Sequence, residues 1–409
     1  MSDLNFVSLF SGAGGLDIGF EMAGWECLYA LDNDPIAVAT LDENKGRRIS
    51  LENKKIKALD NSLISHADVS VVNGKQVLRE VGRRRGDVAA LVGGPPCQSW
   101  SSAGNQRGFD DPRGRLFRDY LRVANELDVR WLIFENVRGL LTARGHDGVP
   151  GSALHHIRQS LLDAGFQTEV NLLNAADFGV PQRRVRLFMI GFRRGDRPHF
   201  PEATHAQNAD LLTPNRDQWI TIRKCLASIS PLKSEEIIKP PVELARLLSA
   251  VPNGSGLKSP GKAEATRPGG HWGYKQGCFI ADLNLPARTV TASSQQDWVR
   301  DPNRGIRRLA PRECAAIQSF PVEWSFTGNR TAQYRQIGNA VPPMLSHAVA
   351  AALGEHVSTA ASYRKRFAAP ELLPLRPALA SAIEYTRREE ARNGESRRMV
   401  VSKRSRRQR

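Results

Sequence analysis

The stretch that most restricts what this chain can become is a short aliphatic run, residues 88–92, followed at once by Gly93-Gly94-Pro95-Pro96-Cys97-Gln98-Ser99-Trp100-Ser101. A continuous apolar run bounded by turn formers reads as a buried strand. Cys97 then stands just past that strand's carboxyl end, where open α/β sheets hold their ligands. Two prolines fix the backbone ahead of the thiol, two glycines allow a ligand to come close, and the polar run that follows cannot form a core. The plain alternative is a buried cysteine at a strand end, because free cysteine usually behaves as a small hydrophobe.

A second run, Trp131-Leu132-Ile133-Phe134-Glu135-Asn136-Val137, also reads as an interior strand and also ends in a polar pair. Cys97 and Glu135 are therefore expected at the ends of neighbouring strands. A thiol beside a carboxylic acid suits covalent attack on an electron-poor ring, the acid protonating or hydrogen-bonding the ring nitrogen. A solvated or helix-capping residue is the alternative for Glu135 taken alone.

The amino-terminal part supplies a ligand-binding pattern. Residues 6–10 read as a strand, Ser11-Gly12-Ala13-Gly14-Gly15 as a turn, and Leu16, Ile18, Phe20 and Met22 as an apolar helical face. A strand, a glycine turn and a helix start bring backbone amides and the helix dipole to the polar part of a nucleotide-like ligand. The dinucleotide fingerprint fails because Asp17 holds the third glycine's place, which argues against an NAD enzyme. A second strand, 26–31, ends at Asp32-Asn33-Asp34, so Asp32 is placed to accept ribose hydroxyls. Asp34, ahead of Pro35, serves either that role or as a helix cap.

Further along, strands are predicted over 167–173 and 185–192. Arg184 and Arg186, one residue apart, would share a face and point together at a base or phosphate; an exposed arginine pair on an edge strand is the alternative. From 198 to 286 the chain is rich in Pro, Gly, Ser and Asn with weak periodicity, which predicts irregular loops on a small second domain.

Pro95-Pro96-Cys97-Gln98, Glu135-Asn136-Val137, Gln182-Arg183-Arg184-Val185-Arg186 and Arg335-Gln336-Ile337-Gly338-Asn339-Ala340-Val341, in this order, resemble the DNA cytosine-5 methyltransferases of the bacterial modification type. The resemblance runs from about residue 6 to about residue 353. It implies a Rossmann-like S-adenosylmethionine-dependent methyltransferase domain, an α/β fold with a mostly parallel sheet, beside a smaller irregular target-recognition domain. The domains it implies are 1–198 and 325–356 for catalysis, 199–324 for target recognition, and 357–409 as a basic, flexible tail. By resemblance, Cys97 and Glu135 are catalytic, and Arg184 and Arg186 contact the target cytosine and nearby backbone. Phe10, Ser11, Gly12, Ala13, Gly14, Gly15, Asp32, Asp68, Pro95, Asn339 and Ala340 would hold S-adenosyl-L-methionine. Gln98, Ser101, Arg113, Gln182 and Thr289 would face DNA, and the loop after Cys97 would close over it. The implied activity is methylation of cytosine in a short duplex sequence, protecting it from a companion restriction endonuclease. A tRNA cytosine-5 methyltransferase and an inactive DNA-binding protein on the same fold are the other readings; the long 198–286 region favours duplex DNA, and the presence of Cys97, Glu135, Arg184 and Arg186 opposes inactivity.

Composition agrees with a nucleic-acid partner. The chain has 409 residues, 41% of them hydrophobic, and a formal net charge of +16, which calls for a polyanion. No apolar run approaches the ~18 residues of a spanning helix, and the start lacks a basic signal-peptide region, so a cytoplasmic protein without membrane contact is expected. Five cysteines without a C-x-x-C pair and scattered histidines predict neither a disulfide framework nor a metal site. Much of the excess charge lies in residues 364–409, where 14 Lys and Arg face 5 Asp and Glu. Such a segment is expected to be disordered yet able to neutralise phosphates.

Overall fold

The computed structural model describes residues 4–51, 54–96, 112–209, 215–258, 274–359 and 370–406. In chain order the first elements are β1 (Asn5–Leu9), α1 (Gly15–Met22), β2 (Glu26–Asp32), α2 (Pro35–Asn44), β3 (Arg48–Leu51), β4 (Lys54–Lys57) and β5 (Leu63–His66). Then come α3 (Gly74–Glu80), β6 (Ala90–Gly93), α4 (Pro112–Leu127), β7 (Trp131–Val137), α5 (Ser152–Asp163), β8 (Gln167–Asn174) and β9 (Val185–Phe192). The later part holds β10 (His205–Ala206), β11 (Asp217–Gln218), α6 (Ile222–Ala227), α7 (Val242–Ser249), β12 (Ser255–Lys258), β13 (Tyr274–Ile280), β14 (Trp298–Asp301) and β15 (Gly305–Arg308). Four helices end the chain: α8 (Pro311–Ile317), α9 (Arg330–Asn339), α10 (Pro343–Thr359) and α11 (Pro377–Arg406).

The residues fall into two compact units, one of 1–67, 174–184 and 201–355, the other of 68–173, 185–200 and 356–409. The strand order is β5-β2-β1 in the first unit and β6-β7-β9-β8 in the second. The pairs β1–β2, β2–β5 and β6–β7 are parallel, whereas β7 and β9 run antiparallel. Every residue of β1 is buried, as are the first six of β7, which is why these strands read as continuous apolar runs rather than alternating ones.

In the second unit, Phe117, Tyr120, Ala124 and Leu127 of α4 recur at helical spacing and are all buried. The Tyr120 hydroxyl reaches Ile133 O at 2.8 Å and Leu91 O at 3.2 Å, so one side chain joins the backbones of β6 and β7. In the first unit, Pro35 starts α2 and the Asp34 carboxylate caps it by accepting from Ile36 N at 3.0 Å. The polar run 45–61 contains the β3–β4 hairpin, paired Arg48 to Lys57 through Leu51 to Lys54.

The segment expected to be irregular is more ordered than its composition implies. It contributes to a four-stranded sheet, β12-β13-β14-β15, packed over Leu248, Val251, Cys278, Ile280 and Trp298. Short strands rich in Gly and Arg carry little periodicity, so the pattern was too weak to read. The sequence Pro268 to Tyr274 lies almost wholly outside the described residues.

The carboxyl-terminal segment also differs from the expectation of flexibility over 357–409. Residues 377–406 form α11, with Leu379 and Ile383 buried. Ile383 side-chain carbon would lie only 2.7 Å from a Cβ placed on Gly151, so the helix seats closely on the turn before α5. Charge density alone predicted disorder, and these apolar residues at helical spacing in an otherwise polar stretch supply the contacts that oppose it.

Candidate active site

Two groups of candidate residues lie at strand ends, one in each unit. In the first unit, β1 leads into a turn with positive φ at Phe10 (59°), Gly12 (55°) and Gly14 (82°). No heavy atom lies within 4 Å of a Cβ built on Gly12, whereas one on Gly15 would stand 2.2 Å from Val341 O. Gly12 therefore borders open space and Gly15 is required by packing. Ala13 and Ser11 are buried, and Ser11 Oγ donates to Ser8 Oγ at 2.8 Å. Ala340 Cβ lies 3.3 Å from that Gly15 Cβ position, and Ser346 Oγ donates to Leu16 O at 2.7 Å. The start of α10 thus packs on α1. Asn339, the last residue of α9, is exposed.

Asp32 fixes this turn. Its Oδ2 accepts from Gly12 N and its Oδ1 from Asp34 N, both at 2.8 Å. Burial raises its carboxyl above the ordinary range, and those two amides oppose the rise. The arrangement ties the glycine turn to the end of β2 while each oxygen keeps a lone pair. Asp34 pairs with Arg335 at 2.6 Å as well as capping α2, which settles its role as structural. Asp68, in the second unit, is exposed and caps a short 3-10 turn by accepting from Ser70 N at 2.8 Å, which lowers its carboxyl.

In the second unit, β6 and β7 are neighbours, with Gly93 opposite Phe134. Asn136 Nδ2 donates to Pro95 O at 3.0 Å. A Cβ on Gly94 would lie 2.8 Å from Glu135 Oε2, so only glycine lets the turn pass this close to the carboxylate. Glu135 Oε1 pairs with Arg186 Nε at 3.0 Å, with both side chains largely buried. Burial lowers the Arg186 pKa and Glu135 opposes that shift. Cys97, Gln98 and Ser101 lie outside the described residues; Arg113 lies within α4, and its side chain is likewise outside them.

Arg184 and Arg186 do not present a common face. Arg184 is 1% exposed and donates to Val290 O at 2.9 Å, Gly338 O at 2.7 Å and Ala340 O at 2.9 Å. It precedes β9 rather than belonging to it, so the alternation of a strand does not apply. Gln182 is likewise fully buried, donating to Gln318 Oε1 at 2.7 Å and accepting from Val290 N at 2.8 Å. Both residues hold the backbone at 287–291 rather than offering a surface to a ligand. Thr289 is exposed beside them, its hydroxyl donating to Arg183 O at 3.0 Å.

Three residues gained no role from the sequence. Gln318 joins Gln182, Ile337 O and Ala340 O from a fully buried position, and nothing in a glutamine at the end of a short helix announces that. Asp17, in the first turn of α1, is wholly buried, and burial lifts its pKa to about 7. One turn later Glu21 is raised to about 8, again by burial, while its Oε2 accepts from Leu59 N at 2.8 Å.

Parallel strands with a glycine turn after the first and a fixed carboxylate after the second are the marks of a Rossmann-like fold. The model of the C-5 cytosine-specific DNA methylase family matches residues 4–355, and the chain belongs to that family. It is a DNA cytosine-5 methyltransferase. Among its relatives, the Type II methyltransferase M1.HphI of Haemophilus parahaemolyticus is 31% identical over 360 residues, covering 86% of each chain. The Type II methyltransferase M.FnuDI of Fusobacterium nucleatum is 29% identical over 391 residues, 88% of this chain and 97% of its own. Two solved structures share the fold. A DNMT2 mutant of Spodoptera frugiperda matches with a TM-score of 0.58 at 16% identity, and the S. pombe Dnmt2 methyltransferase with 0.56 at 17%; each comparison covers 86% of this chain and 99% of the other. No helix among the described residues is long and apolar enough to cross a membrane.

Proposed function

We propose that the protein methylates carbon 5 of one cytosine in a short, specific duplex DNA sequence through a covalent adduct of Cys97, and that this protects the DNA from a companion restriction endonuclease. The observation that carries the reading is the anchoring of the chain just ahead of the nucleophile: Asn136 holds Pro95 O, and Gly94 lies against Glu135. That anchoring supports a thiol and an acid meeting one ring.

The residues of the first unit fit S-adenosyl-L-methionine. Open space beside Gly12, left-handed backbone at 10, 12 and 14, and lone pairs left on Asp32 suit a ligand with amino-acid and ribose hydroxyl groups. Residues 10–15, Asp32, Asn339 and Ala340 would hold it. Bound there, it supplies an electrophilic sulfonium methyl.

Carbon 5 of cytosine is a poor nucleophile. Addition of the Cys97 thiolate to carbon 6 pushes an electron pair toward carbon 5, while Glu135 shares a proton with the ring nitrogen as charge develops. Arg186 keeps Glu135 oriented for that contact. Once carbon 5 is substituted, loss of its proton to a base reforms the carbon 5 to carbon 6 double bond and expels the thiolate. A stacked base cannot reach these groups, so the target is flipped out at a cost of a few kcal/mol, offset by contacts from Gln98, Ser101 and Arg113. The protein fed labelled S-adenosyl-L-methionine should label duplex DNA at one sequence, mapped by bisulfite sequencing, and Cys97→Ala should abolish the label. Label in tRNA alone, or a variant with near-normal turnover, contradicts the reading.

A further inference from the structure

Charge along α11 changes abruptly. Residues 377–392 hold three arginines and three glutamates, a net of zero, whereas 393–409 hold seven Lys and Arg against Glu395 alone. The second stretch thus carries +6 of the chain's +16 within seventeen residues. It lies beyond residue 355, where the match to the family model ends.

The neutral half is seated on the second unit. Leu379 and Ile383 are buried, Arg387 Nε donates to Pro150 O at 3.0 Å, and Arg144 pairs with Glu390. Ahead of the helix, Arg376 pairs with the buried Glu169 at 2.9 Å, and Arg158 donates to Leu373 O. Within the neutral half, Glu384 pairs with Arg388 and Glu389 with Arg392, so its own charges satisfy one another. The helical backbone runs on to Arg406, so residues 393–406 make a stretch roughly 20 Å long.

We propose that residues 393–406, the basic end of α11, are a rooted cationic arm that binds the phosphate backbone of duplex DNA without reading bases. Duplex DNA carries one charge per about 1.7 Å of axis, so a helix dense in Lys and Arg meets several phosphates at once and releases their counterions. Anchoring of residues 373–390 reduces the entropy lost when the arm engages, compared with a free tail. The arm raises affinity for all duplexes alike, and sequence choice stays with the rest of the molecule. The partner rests on the substrate reading given above.

The test uses the full-length chain with Arg397, Arg398, Lys403, Arg404 and Arg406 all changed to Gln, and a second variant with the four arginines changed to Lys. Equilibrium binding to a duplex with the methylated sequence and to a scrambled duplex is measured across a salt series. The glutamine variant should bind both about tenfold or more weakly at low salt, its log K against log salt flatter by about 0.9 per lost contact, with the ratio between duplexes unchanged. The lysine variant should restore both values. An unchanged slope, a loss confined to the target duplex, or a loss traced by sedimentation to broken self-association would overturn the proposal. Failure of the wild-type chain to methylate any duplex, with these binding effects intact, would sink the substrate reading and support the arm.

Discussion

At the scale of single residues, two arginines separated by one position do different work. Arg186 pairs with Glu135, and Arg184 serves three backbone carbonyls from a fully buried site. Glu135→Gln should therefore lower the methylation rate by roughly 10² or more while DNA affinity and the unfolding midpoint hold. Arg184→Met should cost on the order of 3 kcal/mol of stability in urea unfolding, because it strands buried carbonyls, with activity lost in step with folding. Equal stability of the two variants would remove this distinction. Asp17 and Glu21 bear on pH. Their carboxyls rise from 3.8 to about 7 and from 4.5 to about 8, so between pH 4 and 8 the folded chain keeps protons that the unfolded chain releases. Their contribution to stability therefore declines as pH climbs through that window. Asp17→Asn with Glu21→Gln should flatten the fall in unfolding free energy from pH 5.5 to 8.5; matching slopes for wild type and variant would show that burial does not shift these groups.

Elements were legible where burial was complete. The predicted limits of β7 and β9 match the observed ones, since a strand covered on both faces leaves an unbroken apolar run bounded by polar residues. The glycine turn and the proline-rich turn were legible because backbone that must curve or approach closely admits few residue types. The small sheet of β12 to β15 was not, because its core draws on Leu248, Cys278 and Trp298, scattered over fifty residues with no common period. Nor could a local reading see that Gln182 and Arg184 face inward: their partners, Val290, Gln318 and Gly338, are more than a hundred positions away. Gly338 shows the same long-range closeness. A Cβ there would lie 2.1 Å from the Thr291 backbone, so Gly338→Ala should separate α9 from residues 291–292 and cost several kcal/mol. A thermal midpoint within a degree or two of wild type would show that the two backbones yield easily.

For the whole molecule, the net charge of +16 announced a polyanionic partner but not how the charge is apportioned. In α11 the charges of the first half balance, two glutamates pairing with two arginines, and the surplus is gathered at its far end. The central claim is narrower than that electrostatic frame: Cys97 becomes bonded to the target base. A duplex carrying 5-fluorocytosine at the methylated position tests it, because fluorine cannot leave as a proton does and the adduct is trapped. With S-adenosyl-L-methionine present, a denaturation-resistant protein–DNA complex should form, its crosslinked peptide should contain Cys97, and Cys97→Ala should form none. Absence of the complex under conditions in which unfluorinated duplex is methylated, or its attachment to another residue, would contradict the mechanism.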